Sequence, residues 1–266
     1  MKKSISIVLI VLLSLNILAG CSNKKVDENL IRIGVSPKPH KELINLIEED
    51  LLEEGIKLEI IEFTDYIKPN LALADGELDA NFFQHETYMK AFREENKLNI
   101  VSIGAVHIEP MGLYSSKIND LEELKNGSEI AIPNDITNGF RALFLLEKHG
   151  LIKLDPKAGM TATAKDIIEN PKNLKIVELD ASTLTRILKD VDAAVINGNY
   201  ALEADLLPDK DAIILEDKDS PYANIVAIRK GEEEEERFVK LMKALQSEKV
   251  REFIEKEYEG AILPGF

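Results

Sequence analysis

The sequence has one cysteine in 266 residues. A single cysteine cannot close an intramolecular disulfide, so the fold must be held by its hydrophobic core. The sequence also has no GxSxG turn and no glycine-rich phosphate loop ahead of a helix. These motifs carry the nucleophile of α/β-hydrolases and the phosphate contacts of nucleotide-binding enzymes. Their absence argues against both classes of enzyme.

Basic side chains are in the minority, with 33 Lys and Arg against 48 Asp and Glu and a formal net charge of −15. Nucleic acid and anionic lipid both require clustered Lys and Arg. The charge balance therefore argues against both as partners, and it equally fits a merely soluble protein. After residue 20, no apolar run approaches the length of a membrane span.

Residues 1–20 have the organisation of a bacterial lipoprotein signal peptide. Lys2 and Lys3 precede the apolar stretch ISIVLIVLLSLNIL, which ends in small residues. The motif LAGC resembles the lipobox, in which the cysteine, here Cys21, receives a diacylglyceryl group and becomes the mature N-terminus. Two or more acyl chains, such as palmitate, anchor a protein stably. We therefore predict a chain anchored through Cys21 at the extracytoplasmic face of a cytoplasmic or outer membrane, with residues 21–30 as a tether.

From Leu30 onward, short β-rich runs alternate with helical patterns. This alternation predicts an α/β protein whose parallel sheets lie between helices. The predicted strands are IRIGVS, IKLEIIEF, LDANFF, NIVSIGAV, EIAIP, LKIVEL, DAAVI and AIILED. The predicted helices include PHKELINLIEEDLLEEG, ETYMKAFREEN, LEELKNG, TNGFRALFLLEKHG, ASTLTRILKD, NYALEADLL, EEEEERFVKLMKAL and EKVREFIEKEY.

Two extended passages divide this alternation. HIEPMGLYSSKIND separates two similar α/β sets, and SPYANIVAIRKG precedes the C-terminal helices. Two such crossovers allow the C-terminus to return to the first set, which predicts a hinged, two-lobed protein. We assign residues 31–112 and 224–266 to lobe 1 and residues 113–223 to lobe 2.

Three loops at predicted strand ends and one segment at the second crossover carry polar or aromatic side chains. In open α/β sheets, ligands bind at the carboxyl ends of the strands, beside the helix N-termini. Each such asparagine taken alone also fits a turn or a helix cap. The coincidence of four such segments predicts one ligand site, with the candidates Phe83, His85, Tyr88, Asn138, Arg141, Asn197, Asn199 and Asn224.

The residue types in these loops indicate the ligand's chemistry. Arg141 can clamp a carboxylate with two parallel hydrogen bonds, and an asparagine offers both a donor and an acceptor to a polar group. Phe83, His85 and Tyr88 can surround an apolar or thioether side chain, because sulfur–aromatic contacts are favourable. The loops therefore predict a pocket for a zwitterion with a soft apolar tail.

Five ordered blocks resemble the NlpA/MetQ lipoproteins, the methionine-binding components of a bacterial ABC importer. The blocks are DGELDANFFQH, HIEPMGLYS, IAIPNDITNGFRAL, VINGNYAL and YANIVAIR, and the resemblance runs from about Ile31 to the C-terminus. It implies a two-lobed, type II-like periplasmic-binding-protein fold with two extended crossover strands. It also implies a monomer without catalysis or cofactor that delivers methionine to a membrane permease driven by a cytoplasmic ATPase.

The resemblance also implies roles for individual residues. The thioether would be surrounded by Tyr66, Phe83, His85 and Tyr88. The carboxylate would be held by Arg141 and Asn138. The polar end of the amino acid would be contacted by Asn199 and Asn224, followed by Asn197. This chain departs from the family at Thr87, where proline is frequent, and at Phe140, where a small residue is usual. The ligand expected is L-methionine or a close derivative, with D-methionine and a methionine dipeptide left open.

Two alternative functions stay open. His40, His85, His107 and Glu109 could supply the ligands of a zinc-binding lipoprotein, but no pair of histidines has HxH or HxxxH spacing. His107 and Glu109 are expected instead to bond each other or the crossover backbone. A secreted hydrolase is the other alternative, but this sequence has no recognisable nucleophile motif.

Overall fold

The computed structural model describes residues 29–217 and 220–266. The predicted signal peptide, Cys21 and nearly all of the tether lie outside the described residues. Within the described part of the chain, no helix combines the length and the apolar character that crossing a membrane requires.

Strands and helices alternate along the described chain. The strands are β1 Leu30–Val35, β2 Lys57–Glu62, β3 Ala80–His85, β4 Ile100–Ile108, β5 Gly112–Tyr114, β6 Glu129–Pro133, β7 Lys153–Leu154, β8 Ile167–Glu169, β9 Lys175–Leu179, β10 Ala193–Ile196, β11 Ile214–Leu215, β12 Ala223–Arg229 and β13 Leu263–Pro264. The α-helices are α1 Glu42–Glu53, α2 Lys68–Ala74, α3 Glu86–Asn96, α4 Ile136–Lys148, α5 Gly198–Glu203, α6 Pro208–Asp211, α7 Glu236–Leu245 and α8 Glu248–Tyr258.

Most of the strands form one main sheet in each lobe, and β7 and β8 form a separate two-stranded sheet. The first sheet has the order β13-β4-β12-β3-β1-β2 and the second has the order β11-β5-β10-β6-β9. The chain passes from the first sheet to the second between β4 and β5, and returns between β11 and β12. The two-lobed α/β architecture with two crossovers is confirmed.

The prediction of purely parallel sheets is wrong at the crossover strands. β1 is parallel to β2 and β3, whereas β12 is antiparallel to β3 and β4. In the second sheet, β5 is antiparallel to β10. Strands joined by a helical crossover must be parallel, but β5 and β12 enter their sheets directly from the other lobe and are free of that constraint.

Each sheet buries its own apolar core. In α1, Leu43, Ile44, Ile47 and Leu51 lie on one helical face and are at most 1% exposed. They belong to the cluster that packs the first sheet against α1, α7 and α8. In the second lobe, an equivalent cluster is built around α4 and the strands beside it. The two cores hold the ends of their strands in fixed positions.

Strand β3 differs from the half-exposed strand that its alternation suggests. All of its residues are buried, because β1 and β12 pair with it on either side. Its polar side chains meet a helix instead of water: Asn81 Nδ2 donates to Asn70 Oδ1 at 2.9 Å, and Gln84 Nε2 donates to the same oxygen at 2.7 Å. This buried network fixes the strand that ends at the candidate site.

Two predicted helices are only single 3₁₀ turns. LEELKNG forms one at Leu121–Glu123, and ASTLTRILKD forms one at Ala181–Thr183. In both, an aspartate just before the turn accepts the backbone N–H two residues later, Asp120 from Glu122 and Asp180 from Ser182. Such local side-chain bonds compete with helix propagation.

Candidate ligand-binding site

A cavity lies where the loops of the two lobes meet. The space between its side chains, including what is open to solvent, is about 320 Å³. All nine candidate residues line it. The full lining is Tyr66, Phe83, Gln84, His85, Tyr88, Glu109, Asn138, Arg141, Asn197, Gly198, Asn199 and Asn224.

Aromatic rings form one wall of the cavity. The ring centroids of Tyr66, Phe83 and Tyr88 lie 5.8–6.2 Å apart. Tyr200 from the second lobe packs on Tyr66 at 5.0 Å. Burial raises the pKa of Tyr66 and of Tyr88 above the ordinary value, so both phenols stay neutral. The wall is therefore uncharged and suited to an apolar or thioether group.

His85 ends β3 and caps the helix that follows. Its Nδ1 accepts the Tyr88 N–H at 3.1 Å, which requires the proton to sit on Nε2. Nε2 then donates to Asn138 Oδ1 of the second lobe at 3.2 Å. Burial, reinforced by the charge of Arg141, lowers the pKa of His85 to about 3. A neutral imidazole thus joins the two lobes across the cavity.

Asn138 is held by the residue that caps its own helix. The Asp135 carboxylate accepts the Asn138 backbone N–H at 2.9 Å and the side-chain Nδ2 at 3.0 and 3.1 Å. Oδ1 therefore faces the opposite way, where it accepts from His85 and from Asn197 Nδ2 at 2.9 Å. Both ends of this amide are engaged by the protein.

Arg141 occupies the first turns of α4 and is 4% exposed. Its Nε donates to both carboxylate oxygens of Glu216, at 2.9 and 3.1 Å, and its Nη2 donates to Glu216 and, at 2.7 Å, to the backbone carbonyl of Glu109. The guanidinium also lies 4.5 Å from the centroid of the Tyr222 ring. These bonds fix its orientation, and Nη1 takes part in none of them.

The remaining asparagines come from α5 and β12. Asn199 Oδ1 accepts from the Tyr66 hydroxyl, and its backbone N–H donates to Glu109 Oε2 at 2.9 Å. Asn224 Oδ1 lies 3.2 Å from Nε2 of His40. Because Tyr66 belongs to the first lobe and Asn199 to the second, this pair also joins the lobes directly.

A third bond between the lobes lies beside the cavity. Tyr200, in the second lobe, donates its hydroxyl to the backbone carbonyl of Thr64 at 3.2 Å. Together with the His85–Asn138 and Tyr66–Asn199 pairs, it holds the lobes against each other.

Behind the cavity lies a buried group formed by His40, His107 and Glu109. His107 Nε2 lies 2.7 Å and His40 Nε2 lies 3.4 Å from Glu109 Oε1. The expected bond between His107 and Glu109 is therefore present. These three residues, without His85, are the group in the described ranges whose ligand atoms are close enough for a metal ion.

We expect zinc to leave the melting temperature of the chelator-treated protein unchanged. A metal on Nε2 of His40 and His107 would move their protons to Nδ1, and Nδ1 of His107 is buried without a hydrogen-bond partner among the described residues. Metal-bound histidines normally donate their second N–H to an acceptor, and an orphaned donor is costly. A zinc-dependent rise that His107→Phe abolishes would contradict this expectation.

From the sequence, Glu109 was expected only as a hinge residue or a zinc ligand, and Gln84 was not singled out for the site. The sequence could have indicated that these residues line the site, since each lies next to a candidate residue or in a crossover passage. Of the two departures from the family pattern, neither Thr87 nor Phe140 is among the lining residues. Phe140 stacks on Phe144 at 5.8 Å and packs against the core of the second lobe.

A small cavity enclosed by two α/β lobes, with an aromatic wall and buried polar groups, defines a two-lobed substrate-binding protein. The family model described as NlpA lipoprotein matches residues 31–266. The chain belongs to the NlpA lipoprotein family.

Relatives of known sequence and structure agree with this assignment. The chain is 42% identical, over 252 residues, to the D-methionine-binding lipoprotein MetQ of Salmonella typhimurium, covering 94% of this chain and 93% of the relative. A nutrient-binding protein from Burkholderia cenocepacia, solved bound to methionine, matches with a TM-score of 0.86 and 47% identity over 89% of this chain and all of the other. Lipoprotein Tp32 from Treponema pallidum matches with a TM-score of 0.86 and 37% identity, covering 89% of this chain and 99% of the other.

Proposed function

We propose that this protein is the lipid-anchored, extracytoplasmic substrate-binding component of an ABC importer, and that it captures L-methionine or a close derivative between its lobes. The observation that carries the proposal is the convergence of an aromatic wall, a single guanidinium and several buried amides on one cavity. The names of the relatives, which include a D-methionine-binding lipoprotein and a protein solved bound to methionine, support a form of methionine as the ligand.

In this proposal each part of the ligand has its own contacts. Tyr66, Phe83, His85 and Tyr88 surround the thioether, while Arg141 holds the carboxylate. Asn138 lies beside the carboxylate and fixes His85 and Asn197. The polar end of the amino acid is contacted by Asn199 and Asn224, followed by Asn197. The aromatic contacts come from lobe 1 and the guanidinium from lobe 2. A ligand that touches both lobes stabilises the closed arrangement over the open one.

The remaining parts of the proposal follow from the family and the sequence. Lobe 1 comprises residues 31–112 and 224–266, lobe 2 comprises residues 113–223, and the lobes hinge near 108–114 and 220–228. Cys21 carries the lipid anchor, and a monomer delivers the ligand to a permease with a cytoplasmic ATPase. The protein acts by closure alone, without a catalytic step, a cofactor or a resident metal.

Purified unlipidated protein is expected to release methionine on denaturation, as detected by mass spectrometry of the small molecules in the extract. After unfolding, refolding and dialysis, L-methionine should raise the melting temperature. At a ligand concentration about 100-fold above Kd, binding contributes about 2.7 kcal/mol, which corresponds to a rise of roughly 5–10 °C. D-methionine and Gly-Met are compared in parallel.

Norleucine and leucine are the matched control ligands, because they keep the zwitterion and replace the thioether by a methylene or a branched chain. Both should give smaller shifts than methionine. An extract without methionine, together with a shift for Gly-Met alone, would overturn the ligand and leave the fold and the family intact.

A further inference from the structure

A groove separate from the ligand cavity lies on the second lobe, and we call it the side groove. Its three walls come from one face of α4, from residues 154–160, and from residues 216–217 and 220–222 of the return crossover. The space between its side chains, including what is open to solvent, is about 1310 Å³. Among the described residues, Arg141 alone lines both this space and the ligand cavity, so the side groove is a distinct space.

Large apolar side chains line the side groove without being covered. Phe144 is 39% exposed and Met160 is 62% exposed. The ring of Phe144 is supported from one side, because Phe140 stacks on it with the two rings inclined by only 19°. Single exposed apolar residues are ordinary, but apolar side chains gathered in one concavity mark a surface that receives a ligand or a partner.

The ionisable side chains of the side groove do not balance. The lining carries two cations and four carboxylates, namely Arg141, Lys148, Glu147, Asp155, Glu216 and Asp217. Each cation is paired with a carboxylate of the return crossover, Arg141 with Glu216 and Lys148 with Asp217. The two carboxylates that remain belong to Glu147 and Asp155, and neither forms an ion pair within the part of the chain that the structure describes. Two negative charges in the groove are therefore left without a partner.

These two carboxylates lie at the same end of the groove, beside Leu154. Glu147 Oε1 accepts the Leu154 N–H at 2.8 Å, and Asp155 Oδ1 accepts the Lys157 N–H at 2.9 Å. Both side chains are partly buried. The backbone bonds fix the direction of each carboxylate and engage one oxygen of each, so Oε2 of Glu147 and Oδ2 of Asp155 are left to accept from an occupant of the groove.

The apolar wall and the two carboxylates together indicate an amphipathic cation. A purely apolar occupant would remove water from the carboxylates without replacing its hydrogen bonds, which is costly. An anion would be repelled by them. A molecule with an apolar stem and an ammonium group satisfies both parts, because the stem covers the rings and the ammonium donates to the carboxylates. Walls on three sides favour a small molecule over the flat face of another protein.

We propose that the side groove is a second binding site, which takes a small organic cation. The aromatic or aliphatic stem of this cation lies against Phe144 and Met160, and its ammonium group lies between Glu147 and Asp155. The flexible thioether side chain of Met160 can adapt to stems of different shape. The inference is independent of the proposed function, because it gives no role to the residues that would contact methionine.

The test uses 4-phenylbutylamine and its uncharged analogue 4-phenylbutan-1-ol in titrations followed by NMR. The protein carries ¹³C in its methionine methyl groups, and Met160→Leu identifies the Met160 signal. The amine should shift that signal and should bind about 10-fold more tightly than the alcohol, because only the amine forms charge-assisted bonds. Each titration is run without methionine and with methionine in excess, and both should give the same affinity.

The double variant Glu147→Gln/Asp155→Asn isolates the charge. Its amide oxygens can still accept the N–H groups of Leu154 and Lys157, so the local fold should be kept. Its affinity for the amine should fall about 10-fold, to that of the alcohol, while its affinity for the alcohol should not change.

Phe144→Ala isolates the apolar wall and should weaken both probes by about 5-fold or more. Leu207→Ala is the matched control, because Leu207 is also in the second lobe, is 40% exposed and is not among the residues that line the side groove. This variant should keep the wild-type affinity for both probes.

An unshifted Met160 signal at about 10 mM amine, a concentration at which so small a ligand should be bound, would overturn the side groove as a site. Equal affinities for amine and alcohol would overturn the cation as its ligand. Displacement of the amine by methionine would place the amine in the ligand cavity and would also contradict the proposal. A protein that binds the amine as expected and does not bind methionine would refute the proposed function and leave the side groove standing.

Discussion

Replacing Arg141 by alanine is expected to weaken methionine binding by about 100- to 1,000-fold. The guanidinium is buried at the cavity, and Nη1 takes part in none of the hydrogen bonds that hold the group in place. Truncating one partner of a desolvated, hydrogen-bonded charge pair typically costs about 2–5 kcal/mol, which spans that range of affinity. Titration calorimetry on protein freed of ligand measures the change directly.

The same substitution is also expected to lower the melting temperature of the ligand-free protein. Glu216, whose side chain is 14% exposed, would lose the partner that neutralises it. The double variant Arg141→Ala/Glu216→Gln removes the unpaired charge, so it should regain stability without regaining affinity. Normal methionine binding by Arg141→Ala would mean that the site residues are wrongly assigned.

Acidification is expected to unfold the protein well above the pH at which its carboxylates are fully protonated. His40, His85 and His107 are buried, and burial lowers their pKa values to about 4, about 3 and about 3. In the unfolded chain these groups take up protons near pH 6.5. Their contribution to stability is therefore complete above about pH 6.5 and is lost as the pH falls toward 4.

The expected loss is large compared with the stability of a typical domain. Each buried neutral histidine contributes a slope that approaches about 1.4 kcal/mol per pH unit, and three such groups approach roughly 4 kcal/mol per unit. Typical free energies of unfolding are about 5–15 kcal/mol. Glu109 and Glu203 act in the opposite direction, because burial raises their pKa values and the folded state binds their protons first. They offset part of the loss.

Urea unfolding at pH 7.5, 6.0 and 5.0 measures this dependence. The chain contains a matched control, because its fourth histidine, His149, is exposed. His149→Gln should keep the wild-type slope of free energy against pH, while His107→Gln should reduce it. A free energy of unfolding that is constant between pH 5.0 and 7.5 would contradict the expectation.

The sequence predicts the elements whose signals are local. The helix α1 follows from the spacing of its buried leucines and isoleucines and from Gly55, which has φ +83° just after the helix. The residues that line the cavity could be found because strand ends converge in an α/β sheet. His85 is the clearest example, since its position at the end of β3 also makes it the cap of the next helix.

The features that the sequence does not reveal depend on contacts between distant segments. Glu216 lies 75 residues from Arg141, and nothing near Arg141 indicates that its guanidinium is already paired. Glu109 looks like a hinge residue until Gly198, from another lobe, is seen to lie against it. The antiparallel β12 is likewise fixed by a route through the second lobe that no local periodicity encodes.

The hydrogen bonds that join the lobes directly also govern how long a ligand stays. Tyr66–Asn199, His85–Asn138 and Tyr200–Thr64 must all break before the cavity can open. We expect them to act mainly on the dissociation rate, in which most affinity differences between related complexes lie. If the protein delivers its ligand to a transporter as proposed, separating the lobes requires these same bonds to break.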